Sequence, residues 1–356
     1  MSWQKEKRWR RFSERHNFSR VVMIDIRLKS HFTKKGFASA AELIKHYGCI
    51  QAQDTKRAKW CIGSRIASTV QDIDKALVEL LVRTRPMRGT LHYMDPSIVR
   101  RMLKLCASKT LTFVKRREYL ITDDDAAKAL DLMQKALSGK KSLTRAQLRE
   151  VRESLEVGKQ RVYHLTCYAG TLGIICFPPS EDEDTFVLLE DRIAPVPTPA
   201  EQEQLTLLAR MYFRGHGPAT VDDFARWTGL GKTVSKKALS YIEDELEHTE
   251  VDTSYYSIPS PGSADTVRLL GFDEYFISYK DRTIVADEPK QYFSVNGIFS
   301  PLIMSEGKII AKRKREMKKD KVVIRVETDA SFDKKTIQDE AQRFADFWKK
   351  EVSIVE

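Results

Sequence analysis

Three stretches of this chain begin a helix in the same way, and each is followed by apolar helical segments and then by short β-like runs. In Phe37-Ala-Ser39-Ala-Ala-Glu42-Leu43, Leu143-Thr144-Arg-Ala-Gln147-Leu148 and Ala219-Thr220-Val-Asp-Asp223-Phe224, a Ser or Thr stands three residues ahead of an acid or amide, with an apolar residue directly after. The hydroxyl can satisfy an orphan N–H of the helix start while the third-position side chain reaches back. After Ser39 the chain passes through helices to Met87-Arg-Gly89-Thr-Leu-His-Tyr-Met94, read as a short strand pair or loop. After Thr144 comes a helix-like segment around Val162 to Ala169. Gly173-Ile-Ile-Cys-Phe177 and Thr185-Phe-Val-Leu-Leu189 follow, across the acidic turn Glu181 to Asp184, as a hairpin pattern. After Thr220, Gly229-Leu-Gly231 turns the chain toward a helix from Lys237 to Glu247, and Thr253 to Ile258 reads as a closing strand. Helix, turn, helix and a hairpin wing is the winged-helix form of the helix-turn-helix. Three such units in tandem are expected.

The remaining segments give an α+β chain. Residues 1–24 form a basic, aromatic extension carrying Trp3, Trp9 and Phe12. The first unit is expected over 25–120, the second over 121–195 and the third over 196–260. Ala194-Pro-Val-Pro-Thr-Pro199 is the stiff linker between the last two, and Pro259-Ser-Pro-Gly262 marks the next boundary. Over 261–356 the texture changes to short β-like runs at Val267 to Leu270, Tyr292 to Val295, Leu302 to Met304, Lys308 to Ala311 and Val322 to Glu327. A small β-barrel or sheet, closed by a helix from Lys334 to Lys350, is expected there.

Charge narrows the partners. A formal net charge of +11 on 356 residues favours a polyanion, either nucleic acid or an acidic membrane surface. No apolar run approaches the roughly 18 residues that span a bilayer, and the N-terminus lacks the apolar centre of a secretory signal. Nucleic acid is therefore the expected partner. The five cysteines are scattered without a C-x-x-C pair, and the seven histidines are isolated. A cytoplasmic protein with no metal and no cofactor is expected.

The most suggestive chemistry lies in Gly48-Cys-Ile-Gln51-Ala-Gln53-Asp54. Gly48 is a plausible helix stop, and the chain beyond it reads as extended. In an extended chain alternate side chains share a side, so Gln51 and Gln53 project together with Ile50 and Ala52 opposite. Two carboxamides side by side can hold a water, a base edge or a backbone group. Asp54 is adjacent, and helix capping or a salt bridge is its plainer role. Lys308, Lys312-Arg313-Lys314-Arg315 and Lys318-Lys319 form the densest positive cluster, either a solvated face or a phosphate contact.

Several segments together resemble the AlkZ/YcaQ-type family of winged-helix DNA glycosylases. They are the Gln51/Gln53 stretch, Arg88-Gly-Thr90-Leu-His92, His216-Gly-Pro-Ala-Thr220-Val-Asp-Asp-Phe224, Gly271-Phe-Asp-Glu-Tyr275 through Tyr279-Lys280-Asp-Arg282, and Asn296-Gly-Ile-Phe299. The resemblance runs in order from about Asp25 to the C-terminus. It implies three winged helices and a β-barrel around a concave DNA channel, and monofunctional hydrolysis of the N-glycosidic bond of alkylated purines, bulky or cross-linked ones included. It implies Gln51 and Gln53 as the groups that act on the attacking water, in the Gln-x-Gln form of the motif. Asp54, Thr90 and His92 are candidate supports. Arg88, Tyr275, Lys280, Arg282, Lys312, Arg313, Lys314 and Arg315 are candidate DNA contacts, with Tyr275 lining the lesion pocket. A monomer acting on double-stranded DNA with alkylated bases is expected, without lyase activity. The alternative is a non-catalytic winged-helix DNA-binding protein or transcription regulator, in which the glutamines are structural.

Overall fold

A computed structural model of the protein describes residues 19–32, 36–116, 122–139, 141–153, 159–178, 185–195, 197, 199–251, 253–260, 267–294, 298–327 and 334–355. Most of the basic extension, the acidic turn Glu181 to Asp184 and Asn296-Gly297 lie outside the described residues.

Residues 19–31 form helix α1. Next come α2 (Ala40–Tyr47), β1 (Cys49–Gln51), α3 (Thr55–Gly63), α4 (Val70–Leu80), β2 (Val82–Met87), β3 (Thr90–Met94) and the long α5 (Pro96–Arg116). A second set comprises α6 (Asp123–Leu137), β4 (Leu143–Thr144), α7 (Arg145–Glu153), α8 (Lys159–Leu172), β5 (Ile175–Cys176) and β6 (Thr185–Leu188). A third comprises α9 (Glu201–His216), α10 (Val221–Thr228), α11 (Lys232–Ser240), β7 (Glu247–Glu250) and β8 (Ser254–Ser257). Each set joins three or more helices to a small antiparallel sheet, in the orders β1-β3-β2, β4-β6-β5 and β7-β8.

All three expected hydroxyl caps form, two of them with the reciprocal bond, while Glu42 reaches the Ala38 N–H instead. Ser39 accepts from the Glu42 N–H at 3.1 Å. Thr144 and Gln147 bond reciprocally, at 2.9 and 3.3 Å, as do Thr220 and Asp223, at 2.9 and 3.0 Å. The same grammar also starts α4 at Thr69/Asp72 and α6 at Thr122/Asp125, so it marks helix starts in general. One helix is displaced from its expected span. α11 begins at Lys232, directly after Gly231, and Glu247 already lies in β7.

The C-terminal part contains β9 (Val267–Leu270), the one-turn α12 (Glu274–Ile277), β10 (Leu302–Ser305), β11 (Lys308–Met317), β12 (Lys321–Glu327), α13 (Gln338–Phe347) and β13 (Glu351–Val355). Its strands order as β13-β12-β11-β10-β9, with β12 and β13 parallel and the other neighbours antiparallel. This sheet is a curled half-barrel, which lies between the two expected forms, a small barrel or a sheet. Of the expected strand at Tyr292 to Val295, Tyr292 ends a 3-10 turn and Phe293 forms a single bridge to Phe299, and Val295 lies outside the described residues. The expected closing helix is shorter, because α13 stops at Phe347 and the chain returns as β13.

Packing ties distant segments together. Trp60 of α3 lies edge-on to Phe344 and Phe347 of α13, with ring centroids 4.7 and 5.3 Å away, and its indole N–H donates to the Leu269 carbonyl. The helices around β1 and the half-barrel thus share one core. Met23 and Ile24 of α1 are buried against the half-barrel as well. The boundary expected between residues 24 and 25 therefore falls inside a packed helix. Among the described residues no helix is long and apolar enough to cross a membrane.

Candidate active site

The Gln-x-Gln stretch is held by a helix stop on one side and a helix start on the other. Gly48, at φ 81°, ends α2 and donates to the Ile44 carbonyl, a left-handed conformation that glycine adopts without steric cost. Asp54 caps α3 by accepting from the Arg57 N–H at 3.0 Å, and it pairs with the Arg57 Nε at 2.9 Å. The three residues between Gly48 and Ala52 form β1. Ile50 and Ala52 enter the core shared with the half-barrel, whereas Cys49 enters the core of α5 and α9. Strand alternation therefore places Gln51 on the Cys49 side. Gln53 follows in a bend and is exposed, while Gln51 is 9% exposed.

Strand β3 lies directly against the motif. Gln51 pairs with His92 in register. The Ala52 N–H donates to the Leu91 carbonyl at 2.7 Å, and the Leu91 N–H donates back to the Gln53 side-chain oxygen at 3.3 Å. The Gln53 carboxamide thus extends the ladder by one bond, with its NH2 directed elsewhere. His92 is 1% exposed, and its Nδ1 donates to the Thr90 carbonyl at 2.9 Å, so Nε2 is the ring acceptor. The Thr90 hydroxyl donates to the Met87 carbonyl at 3.3 Å and closes the β2–β3 turn. Arg88 and Gly89, at φ 53° and 72°, form its two-residue loop, the pattern that suits a tight hairpin.

A carboxylate that the sequence reading did not single out stands beside the motif. Because the Ala52 N–H points at β3, the Gln51 N–H points away from it, at the free edge of the sheet. There it donates to Oε1 of Glu274 at 2.8 Å. Glu274 is 1% exposed, and its Oε2 accepts from the Ser278 hydroxyl and lies 3.7 Å from Nε2 of His216. Burial alone raises a carboxyl pKa. Here the neighbouring His216, the Ser278 hydroxyl and the Gln51 N–H outweigh that burial and hold Glu274 at about 2. The signal in the sequence was Asp273-Glu274 inside an otherwise apolar run.

Glu274 is positioned by the residue before it. Asp273 makes a two-pronged ion pair with Arg65, at 2.7 and 2.9 Å, with both side chains at most 1% exposed. Arg65 also donates to the His31 carbonyl at 3.0 Å and to the Tyr47 hydroxyl at 2.8 Å. This knot fixes α12 against α1, α2 and the end of α3.

Several expected DNA contacts are placed differently. Tyr275 is fully buried, its hydroxyl donating to the Gly307 carbonyl at 2.8 Å and its ring edge-on to His31, so it lines no open lesion pocket. Arg282 is 6% exposed, donates to the Phe276 carbonyl at 2.7 Å and lies among Phe276, Phe293 and Phe299. Lys280 is exposed but pairs with Asp222 at 3.0 Å. Arg88, also exposed, donates to the carbonyls of Arg226 and Trp227 and so braces the β2–β3 turn against α10. Alternation along β11 divides the basic cluster. Lys312 and Lys314 lie on the outer face, whereas Arg313 is 1% exposed, near Phe344, and Arg315 is half-buried near Trp348. A two-residue period cannot present four consecutive cations to one partner.

The buried histidines make stability pH-dependent. Burial, aided by the nearby Arg88, lowers His92 from the usual 6.5 to about 3, and burial lowers His46 to about 4. The unfolded chain takes up these protons as pH falls through 6.5 while the native chain does not. Stability is thus complete above 6.5 and is lost progressively toward pH 3. The stability Glu274 contributes is full above 4.5 and is lost only as pH falls from there toward 2, so the change between pH 6.5 and 4.5 belongs to the imidazoles. The urea midpoint is expected to be clearly lower at pH 5 than at pH 7. Equal midpoints would show that these rings are not buried in the neutral form.

The profile of the family described as DNA glycosylase AlkZ-like matches residues 44–347, and the chain belongs to that family of DNA repair glycosylases. Among individual proteins it is similar to the interstrand DNA cross-link repair glycosylase of Streptomyces sahachiroi, with 25% identity over 311 residues, 76% of this chain and 81% of that one. The solved structure of the Streptomyces sahachiroi DNA glycosylase AlkZ superposes with a TM-score of 0.76 at 22% identity, covering 95% of this chain and 99% of the other. That likeness shows the shared fold.

Proposed function

We propose that this glycosylase releases N7-alkylated purines, bulky or cross-linked ones included, from duplex DNA, with Gln51 and Gln53 positioning the attacking water. The three sets of helices with small sheets act as tandem winged helices that cradle the duplex. Alkylation at N7 leaves the purine cationic and already a good leaving group. The enzyme then has mainly to place a water at C1′ and stabilise the sugar's growing positive charge, which is work for oriented dipoles. The observation that carries this reading is the motif itself: Gln51 sits on an edge strand between His92 and Glu274, with Gln53 exposed at the strand's end. No lysine is assigned a covalent role, so the reaction stops at base release.

The direct test is to incubate the protein with N7-methylated and with cross-linked duplexes, and to look for free base and strand breaks before and after alkali. Free base with strands that break only after alkali is the expected result. Strand breaks before alkali would refute the monofunctional reading. Absence of release, together with preference for one DNA sequence, would favour a DNA-binding regulator.

The outer face of β11, with Lys318 just past its end, supplies a test of the DNA-binding surface. Changing Lys312, Lys314 and Lys318 together to Gln is expected to weaken binding to all sequences alike. It should also flatten the salt dependence, by a log–log slope of up to about 3 at roughly 0.9 for each phosphate no longer neutralised. An unchanged slope would remove this face from the interface.

A further inference from the structure

The Gln-x-Gln motif carries no charge, yet a sugar that loses its base passes through a cationic state. Asp54, the carboxylate next in sequence, caps α3 and pairs with Arg57. Among the described residues, Glu274 is the other carboxylate hydrogen-bonded to the motif. It reaches the strand from a segment more than two hundred residues away, and it touches the backbone of Gln51 at 2.8 Å. Nothing about that hydrogen bond calls for a charge, because a carboxamide oxygen would accept from the Gln51 N–H equally well. Burying a carboxylate instead is costly unless its charge is wanted. Its surroundings keep the charge: the Ser278 hydroxyl and the Gln51 N–H donate to it, and Nε2 of His216 stands 3.7 Å away with no closer partner among the described residues.

We propose that Glu274 is a positioning residue for this reaction: it clamps the Gln51 backbone and, as a fixed anion behind the strand, supplies the negative potential that the two amides lack. This rests on the reading of Gln51 as a water-positioning group. Glu274 takes no proton in the reaction. The bond from C1′ to the purine nitrogen breaks with its electron pair going to the base, the oxygen of water bonds to C1′, and the proton of that water passes to solvent. The anion lowers the energy of the cationic sugar between those two events, when its positive charge is largest, and so acts on the transition state rather than on bound substrate.

The experiment compares wild type, Glu274→Gln, Glu274→Asp and Gln51→Ala in single-turnover release of N7-methylguanine, with duplex affinity measured in parallel. Glu274→Gln is expected to bind DNA within about twofold of wild type but to release base 10- to 100-fold more slowly, and Glu274→Asp to recover part of the loss. Wild-type release by Glu274→Gln, while Gln51→Ala is inactive, would overturn the proposal and leave the role of the glutamines standing. Wild-type release by Gln51→Ala would instead overturn the reading beneath it. A second measurement needs no folded variant: binding of wild type to a duplex containing a cationic pyrrolidine abasic unit against one containing a neutral tetrahydrofuran unit. At least tenfold tighter binding of the cation is expected, shrinking in Glu274→Gln if that variant folds. Equal affinity for the two in wild type would overturn the proposal.

Discussion

Gln51→Ala is expected to lower single-turnover release of N7-methylguanine by about 100- to 1,000-fold, the loss typical of one preorganised polar group at a developing charge. Affinity for the same duplex should stay within about twofold of wild type, because such a group acts on the transition state more than on bound substrate. The variant should fold. The contact to Glu274 uses the backbone N–H of Gln51, which alanine keeps. Ile50 and Ala52, which hold β1 in the core, are untouched. Gln53→Ala should act in the same direction with a further small cost, since the Leu91 N–H loses its side-chain acceptor. That site is exposed, so water can replace the missing oxygen. Wild-type rates in both variants would assign the two glutamines to structure alone.

The second large effect concerns stability. Asp273→Ala should cost about 3–5 kcal/mol, because it leaves the Arg65 guanidinium charged and sealed from water with its main counter-charge gone. The Arg65 side chain is 0% exposed, and its remaining acceptors are neutral. Replacing both partners by apolar residues, as in Arg65→Met with Asp273→Leu, should cost much less than the two single changes summed, since no buried charge is then stranded. The exposed pair Lys135–Asp131 provides the contrast, and breaking it should change stability by less than about 0.5 kcal/mol. Urea unfolding of the single and double variants checks all three values. Additive losses at Arg65 and Asp273 would show that the two do not act as a pair. Because Asp273 also accepts from the Tyr275 N–H at the start of α12, variants that still fold should release base more slowly as Glu274 loosens.

Local chemistry made much of this protein legible. A hydroxyl three residues ahead of an acid or amide has few better uses than capping a helix, and α2, α7 and α10 begin where that pattern stands. Gly48 stops α2 because glycine alone adopts its backbone angle at no steric cost. The period of two along Ile50, Gln51 and Ala52 then divides the core from the site. The same period was available along Lys312 to Arg315, where reading the residues as one charge cluster obscured it.

The partnership of Gln51 with Glu274 has no local signature, because 223 residues separate them and their meeting depends on how α12 is pinned by Arg65 and Asp273. The burial of Tyr275 and Arg282, the open half-barrel and the parallel pairing of β13 with β12 are likewise products of packing among distant segments. What the chain determined by itself is where the capped helices α2, α7 and α10 start, where Gly48 stops α2, and that Gln51 faces away from Ile50 and Ala52, since backbone sterics and one-turn hydrogen bonds act within a few residues. Only the tertiary structure decided which carboxylate meets the Gln51 backbone, because a buried carboxylate is set by whatever the whole fold brings within hydrogen-bonding distance.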